Sequence, residues 1–397
     1  MSMHDITAEI LQLSKLHFDD IVSIRRDIHQ HPETGFAVHR TAAIAARELK
    51  SLGISVKTDI GKTGVVGDIE IPEAKKRIAL RADMDALPLQ ELGNRPYKSK
   101  FVDKAHMCGH DLHTAMLIGA ARIISTMRER LKCSVRFVFQ PCEERYPGGA
   151  QAMIEDGVLD GVDEIYALHV WPLLTTGRIA VCAGTVLGQG DSFTVEITGR
   201  GGHGSAPHLS IDPILIACQF ITNVQSIVSR NVDPLDAAVI SATQIHGGTA
   251  FNVIPASVEI TGTVRTLKKT VQTTVRKRME EVLAGITAAN GASYAFSYNE
   301  GYPVTSNQAP CVKRAVAAAE NLVSDNDLIY PYPPNLGSED FGFYTRKVPG
   351  CFIFLGAGNR QCGMEHMCHD PRFDADEQCM VTGMAMHATL ALGLDSE

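Results

Sequence analysis

The chain has 397 residues, with 37 Lys and Arg against 45 Asp and Glu, giving a formal net charge of −8. That length exceeds one ordinary core and favours about two or three domains, while the scattered basic residues argue against nucleic acid as a partner. No run reaches the roughly 18 consecutive apolar residues of a membrane span, and ten dispersed cysteines behind an amino terminus lacking a signal peptide's apolar region read as reduced thiols of a cytoplasmic protein.

Ile6 to Lys50 alternates helical patterns around the polar stretch from His29 to Gly35, which predicts two helices flanking a loop. A strand over about Arg77 to Arg81 delivers Asp83 and Asp85. Apolar residues at helical spacing (Met116, Leu117, Ala120, Ile123, Ile124) predict a helix from His113 to Leu131, and the β-branched and aromatic run from Ser134 to Gln140 reads as a buried strand. Glu164 to Val170 is a further strand. Strand, helix, strand is the pattern of a parallel sheet covered by helices on both faces.

From about Val186 the rhythm changes. Strands over Ser192 to Ile197, Ala238 to Ile245, Val258 to Leu267 and Ser293 to Tyr298 alternate with helices over Pro213 to Ser229 and Thr270 to Ala288. The order β-α-β-β-α-β is the ferredoxin-like split unit. After Gly301 the earlier pattern resumes with a helix from Pro310 to Val323, a strand from Cys351 to Leu355 and a closing helix from Asp376 to Leu392. The predicted fold class is therefore α/β: a discontinuous catalytic domain (1–186 and 300–397) with a mainly parallel sheet flanked by helices, and an inserted ferredoxin-like α+β domain (187–299).

Four segments carry the chemistry. Met107 to Thr114 packs Cys108, His110, Asp111 and His113 before a helix, and on an extended backbone Cys108 and His110 would point the same way and reach neighbouring metals; a buried cysteine with Asp111 as a helix cap is the plainer alternative. Glu143 and Glu144 follow a buried strand at its carboxyl end, where open α/β sheets bind their ligands. One carboxylate can ligate a metal while its neighbour shuttles a proton, because the two tasks need different environments. His169 closes an apolar strand and reads equally as a core histidine. The cluster Cys362, Glu365, His366, Cys368 and His369 offers a local zinc knot, although its spacing matches no common finger.

Taken together, Arg25-Arg26-Asp27-Ile28-His29, Leu80 to Pro88, the MCGHDLHT segment, QPCEER, ALHVWP, GRGGHGSAPH, Phe251 to Pro255 and Gly337 to Phe341 resemble the dinuclear metallopeptidase superfamily of aminoacylases and carboxypeptidases. The resemblance is to its branch of hippurate hydrolases, N-acyl-amino-acid amidohydrolases and plant indole-acetyl-amino-acid hydrolases. It implies that Cys108, His110, Glu144, His169 and His369 bind two divalent metals (Zn, Mn, Ni or Co), with Cys108 bridging, and that Glu143 is the general base. It further implies that Asp85 orients a ligand histidine, that His203 reaches an active site across a homodimer interface, and that Asn252 and Arg265 contact substrate; Arg265 also reads as an ordinary surface strand residue.

The implied substrate is an N-acyl amino acid or a short peptide, with the inserted domain serving as lid and dimerisation element that flexes near Val186 and Gly301. Cys142, Arg145, Tyr146 and His39 depart from the family's usual pattern, and Arg145 and Tyr146, beside Glu143, bear on acyl-group preference rather than chemistry. A metallo-carboxypeptidase or dipeptidase is the nearer alternative. A zinc-dependent oxidoreductase lacks its G-x-G-x-x-G site here, and a non-catalytic metal-stabilised binding protein would have no need of Glu143.

Overall fold

The computed structural model describes residues 3–393, with side chains from residue 5. Its contacts divide into two compact units: Met1–Val186 with Thr305–Pro333 and Asp340–Glu397, and Leu187–Val304 with Pro334–Glu339. The return of six residues, 334–339, to the second unit has no counterpart in the sequence reading. It leaves Asp340 in the first unit and its neighbour Glu339 in the second.

The first unit is built on an eight-stranded sheet in the order Ser55–Ile60, Gly64–Ile69, Ser134–Gln140, Arg77–Asp83, Glu164–Thr175, Gly350–Gly358, Ile179–Val181 and Leu328–Ile329. The four central strands, from Ser134–Gln140 to Gly350–Gly358, are mutually parallel. Antiparallel pairs lie to either side of them. Ser134–Gln140 and Gly350–Gly358 are buried along their whole length. That is why they read as unbroken apolar runs, whereas the exposed edge strand Ser55–Ile60, with Lys57 and Asp59, gave no such signal.

Helices Met3–Gln30, His110–Thr126 and Cys379–Leu392 pack on one another and share one core with the sheet. The predicted loop between the first two helices is present, from His31 to Val38. The third begins at His110, three residues before the predicted start.

The second unit has a four-stranded antiparallel sheet in the order Ala238–His246, Ser257–Thr266, Gln189–Thr198 and Ser293–Tyr302. Numbered along the chain this is 2-3-1-4, the ferredoxin-like order. Helices Pro213–Arg230 and Lys269–Asn290 bury Phe220, Val224, Ile227, Val275, Met279 and Leu283 against Phe193, Val195, Ile197 and Ile260. Asp212 starts the first of these helices, its carboxylate accepting from the Ile214 N–H (2.9 Å) with Pro213 at the first helical position.

Two stability predictions follow from this packing. His387, on the Cys379–Leu392 helix, is buried with Nδ1 lacking a partner, and burial, aided by the nearby His113, pulls it down to about 3. An unfolded histidine titrates near 6.5. In the interval the unfolded chain holds a proton that the folded chain refuses, so stability is complete above about pH 6.5 and drains away as pH falls toward 3. Urea midpoints should drop between pH 7 and pH 4, and His387→Leu should flatten that decline; an unchanged slope would refute the assignment. Separately, a Cβ at Gly149 would sit 1.8 Å from the Pro141 carbonyl oxygen, a backbone atom that cannot swing aside. Gly149→Ala should therefore cost about 1 to 3 kcal/mol in urea unfolding.

Candidate metal centre

Loops that follow the parallel strands Arg77–Asp83 and Ser134–Gln140 carry Asp85, Glu143 and Glu144. After Gln140 and Pro141 the chain turns at Cys142, which adopts φ 56°, a left-handed conformation unusual for a residue with a side chain. The turn aims two successive amides at one carboxylate: Glu143 N–H donates to Asp85 Oδ1 (2.8 Å) and Glu144 N–H to Asp85 Oδ2 (3.2 Å). Asp85, two residues past the Arg77–Asp83 strand, is fully buried. Burial raises its pKa, and His110, with a smaller contribution from the Glu143 amide, only partly offsets that.

Cys108 and His110 do not lie on an extended segment as the sequence suggested. Gly109 between them takes φ 92°, and its carbonyl accepts from the amides of Leu112 and His113, so His110 is already the first helical residue. A side chain at 109 would meet Val170 Cγ2 at 2.2 Å. Nor is Asp111 a helix cap: it takes Arg25 Nε (2.7 Å) and His29 Nδ1 (2.7 Å), both buried.

His169 lies within the Glu164–Thr175 strand, which continues six residues past it rather than ending there. Its Nδ1 is 2.8 Å from the Val170 carbonyl, which can only accept, so Nδ1 carries the proton and Nε2 keeps its lone pair. That lone pair faces Cys108 Sγ at 3.5 Å. His369 adopts φ 70°, its amide donates to Met107 O (2.7 Å), and its Nε2 stands 3.2 Å from Glu144 Oε1. His110 Nδ1 faces Asp85 Oδ1 at 3.5 Å, and its Nε2 faces Glu144 (3.9 Å) and Glu143 (4.0 Å). Neither ring nitrogen of His110 has a hydrogen-bond partner.

Two overlapping groups emerge. Donor atoms of Cys108, His110 and His169 lie within 4.8 Å of one another, as do those of Cys108, Glu144 and His369. Cys108 is common to both. Metal–donor bonds of 2.0 to 2.3 Å place ligands roughly 3 to 4 Å apart, and Cys108 Sγ to His169 Nε2 (3.5 Å) and His369 Nε2 to Glu144 Oε1 (3.2 Å) fall in that range. The electrostatics agree with a cation. Burial opposes a charge on His110, yet Asp83, Asp85 and Glu144 push it up to about 10. The Cys108 thiol is pushed up by a hydrogen bond to Cys368, by burial and by Glu144 and Glu143. A pocket that charges its histidine and keeps its thiol neutral demands positive charge, and a bound cation reverses both tendencies.

Sequence reasoning passed over the groups that hold these donors. Asp83 Oδ1 lies 2.6 Å from His113 Nδ1, and Val170 N–H donates to His113 Nε2 (2.9 Å), which fixes that ring's tautomer. Asp340 accepts from Gln140 Nε2 (2.7 Å), Arg81 Nη2 (3.2 Å) and Ala150 N–H (3.0 Å). The signals were present, as Asp83 is two residues from Asp85 on a strand and His113 three from His110 on a helix. The zinc knot does not form: Glu365 pairs with Arg360 and His366 with Asp370, and among the described residues no metal-competent group contains Cys362, Glu365 or His366.

In the second unit, His203 and Val253 pair across a short antiparallel ribbon beside a groove of about 720 Å³, and Asn252 O accepts from Gly204 N–H (2.8 Å). Ser205 N–H donates to His203 Nδ1 (3.2 Å), so the exposed ring presents Nε2–H as a donor. Asn252 is exposed. Arg265, half-buried on Ser257–Thr266, bonds Thr263 Oγ1 (2.5 Å) and the Val264 carbonyl (3.4 Å), and makes no ion pair among the described residues; burial lowers its pKa.

Residues 79–393 match peptidase family M20/M25/M40. The N-acyl-L-amino acid amidohydrolase of Geobacillus stearothermophilus is 45% identical over 283 residues, 71% of this chain and 76% of that one. Thermostable carboxypeptidase 2 of Saccharolobus solfataricus is 37% identical over 94% of this chain and 95% of its own. The crystal structure of the Bacillus subtilis YXEP protein, a dinuclear metal binding peptidase, aligns with TM-score 0.83 and 35% identity over 95% of this chain and 98% of that one. With a family match over most of its length and relatives this similar along nearly all of it, the chain belongs to peptidase family M20/M25/M40 and is a hydrolase acting on amide bonds.

Proposed function

We propose that the chain hydrolyses the amide bond of N-acyl amino acids, releasing a carboxylic acid and a free amino acid. The observation that supports this most is the pair of donor groups sharing Cys108, with Glu143 beside them and not required for either. Two divalent cations among zinc, manganese, nickel and cobalt suit this mixture of thiolate, imidazole and carboxylate and supply polarisation of the scissile carbonyl and acidification of water.

In this reading Cys108, His110, His169, Glu144 and His369 would hold the two cations, Cys108 being common to both donor groups. Asp85 orients His110 and holds the Glu143–Glu144 backbone still. Glu143 Oε takes the proton of the attacking water and hands it to the amide nitrogen as the C–N bond breaks. His203 Nε2–H donates to the developing oxyanion, an interaction worth about 3 to 4 kcal/mol in other enzymes. Arg265, a half-buried cation that makes no ion pair among the described residues, receives the free carboxylate of the substrate, with Asn252 as a further contact. We also propose a homodimer formed through the inserted unit, and a cytoplasmic setting that keeps Cys108 reduced. Carboxypeptidase action on short peptides is the second reading, favoured by the Saccharolobus relative, and a substrate screen of N-acyl amino acids against dipeptides separates the two. Family membership disposes of the oxidoreductase alternative.

Glu143→Gln should keep its cations, read by elemental analysis, while kcat on an N-acyl amino acid falls about 10²- to 10⁴-fold. Chelation should abolish the wild-type rate and added divalent cation restore it. Near-normal turnover in the variant would remove Glu143 from the role of base. Arg265→Ala should lower kcat/KM about 10- to 100-fold on free-carboxylate substrates, the scale of a lost charged hydrogen bond, and leave the matching carboxamides nearly unaffected. An equal loss on both would show that Arg265 does not read the carboxylate.

A further inference from the structure

Cys368 reaches the centre, yet no role above employs it. The His369 amide bond to Met107 O (2.7 Å) lays the backbone of residues 367–369 alongside residues 107–108. Cys368 Sγ stands 3.9 Å from the Cys108 carbonyl oxygen, and the two thiols are near enough to hydrogen-bond. The two thiols also differ in access: Cys108 is buried and Cys368 partly exposed.

We propose that Cys108 and Cys368 form an oxidisable pair, in which a peroxide links them as a disulfide and so withdraws the Cys108 sulfur from cation binding. The accessible Cys368 sulfur attacks the peroxide, breaking the O–O bond to leave a sulfenic acid and one water. Cys108 sulfur then attacks the sulfenic sulfur, the S–S bond forms, the S–O bond breaks and the hydroxyl leaves with the Cys108 proton as a second water. Two thiols have lost two hydrogens and one hydrogen peroxide has become two waters. Because Cys108 is the donor common to both groups, its loss weakens both sites together. This consequence rests on the centre proposed above, whereas the bond itself does not. The cation and the disulfide compete for one sulfur, so a loaded centre resists oxidation and a stripped one is locked until a thiol reductant reopens it.

The test treats stripped wild-type chain and Cys368→Ser with one equivalent of hydrogen peroxide. Non-reducing peptide mapping reads the bond, and elemental analysis after equilibration with zinc reads retained metal. The wild type should yield a peptide linked through Cys108 and Cys368, lose zinc affinity about tenfold or more, and recover with dithiothreitol; Cys368→Ser should keep its zinc affinity through the same treatment. Zinc loaded beforehand should slow the linkage. Absence of the linked peptide from the wild type overturns the proposal, as does an equal loss of zinc by the variant. Untreated wild type that binds no zinc would sink the metal centre alone, since mass reads the bond without it.

Discussion

Four buried aspartates tie together the segments that carry the donors. Asp85 grips the amides of Glu143 and Glu144, Asp83 holds His113 against the Val170 amide, Asp340 joins Arg81, Gln140 and Ala150, and Asp111 joins Arg25 and His29. None of these bonds is local in sequence apart from the tether of Asp83 to Arg81. Apolar packing sets the spacing of strands but tolerates small slides, whereas a carboxylate with two fixed partners defines a position to a fraction of an ångström. Burying an ionised acid is costly unless it is fully bonded. The balance differs among them: His110, Arg81 and His113 hold Asp83, and Arg25 and His29 hold Asp111, below the ordinary carboxylate range, whereas burial keeps Asp85 and Asp340 above it.

The neighbours Glu143 and Glu144 show how this scaffold divides labour between two like residues. Both are anchored through their amides by one carboxylate, so their side chains cannot take equivalent positions. Burial would raise the Glu144 carboxyl, but the hydrogen bond to His369 and the charge of His110 outweigh it and hold the carboxyl below its ordinary value. It is an anion fit for a ligand. In the proposed role of base, Glu143 needs the opposite property, freedom to take and release a proton near the operating pH. The Cys142 turn, at φ 56°, lets the backbone present the two carboxylates to different surroundings. A non-glycine residue held in that conformation costs about 1 to 2 kcal/mol, which the amide bonds to Asp85 offset.

How much of this could be read from the chain depended on the kind of interaction. The central strands were legible because burial on both faces leaves an apolar run such as Val135 to Phe139, and the inserted unit because its strands alternate and its helices keep helical spacing. The five proposed donors and the proposed base Glu143 stand in motifs of the sequence, and the donor side chains come together in space. What stayed hidden was conformation at single residues and contact across the chain. Nothing in a glycine between Cys108 and His110 announces φ 92°, so the helix start was placed three residues late. The exposed edge strand Ser55–Ile60 and the three-residue Ile179–Val181 carry too few apolar positions to show a period. Segment 334–339 joins the second unit by tertiary contact alone.

The tautomers of three histidines carry the argument one step past composition. A ring that gives its Nδ1 proton to a carbonyl, as His169 does to Val170, has only a lone pair left at Nε2 and can serve as a ligand but not as a donor. A ring that accepts an amide at Nδ1, as His203 does from Ser205, has the reverse endowment: its Nε2–H can donate to an oxyanion but cannot bind a metal without first losing that proton. His113 is saturated at both nitrogens, by Asp83 and by the Val170 amide, and is left with neither capacity. These are three identical side chains whose chemistry is assigned by a backbone neighbour. It follows that His113, although part of one metal-competent triad with Asp83 and His110, cannot join a cation without surrendering a buried amide or carboxylate bond, whereas His169 gives up only its 3.5 Å contact with the Cys108 thiol. The difference sorts supports from ligands on hydrogen bonding alone.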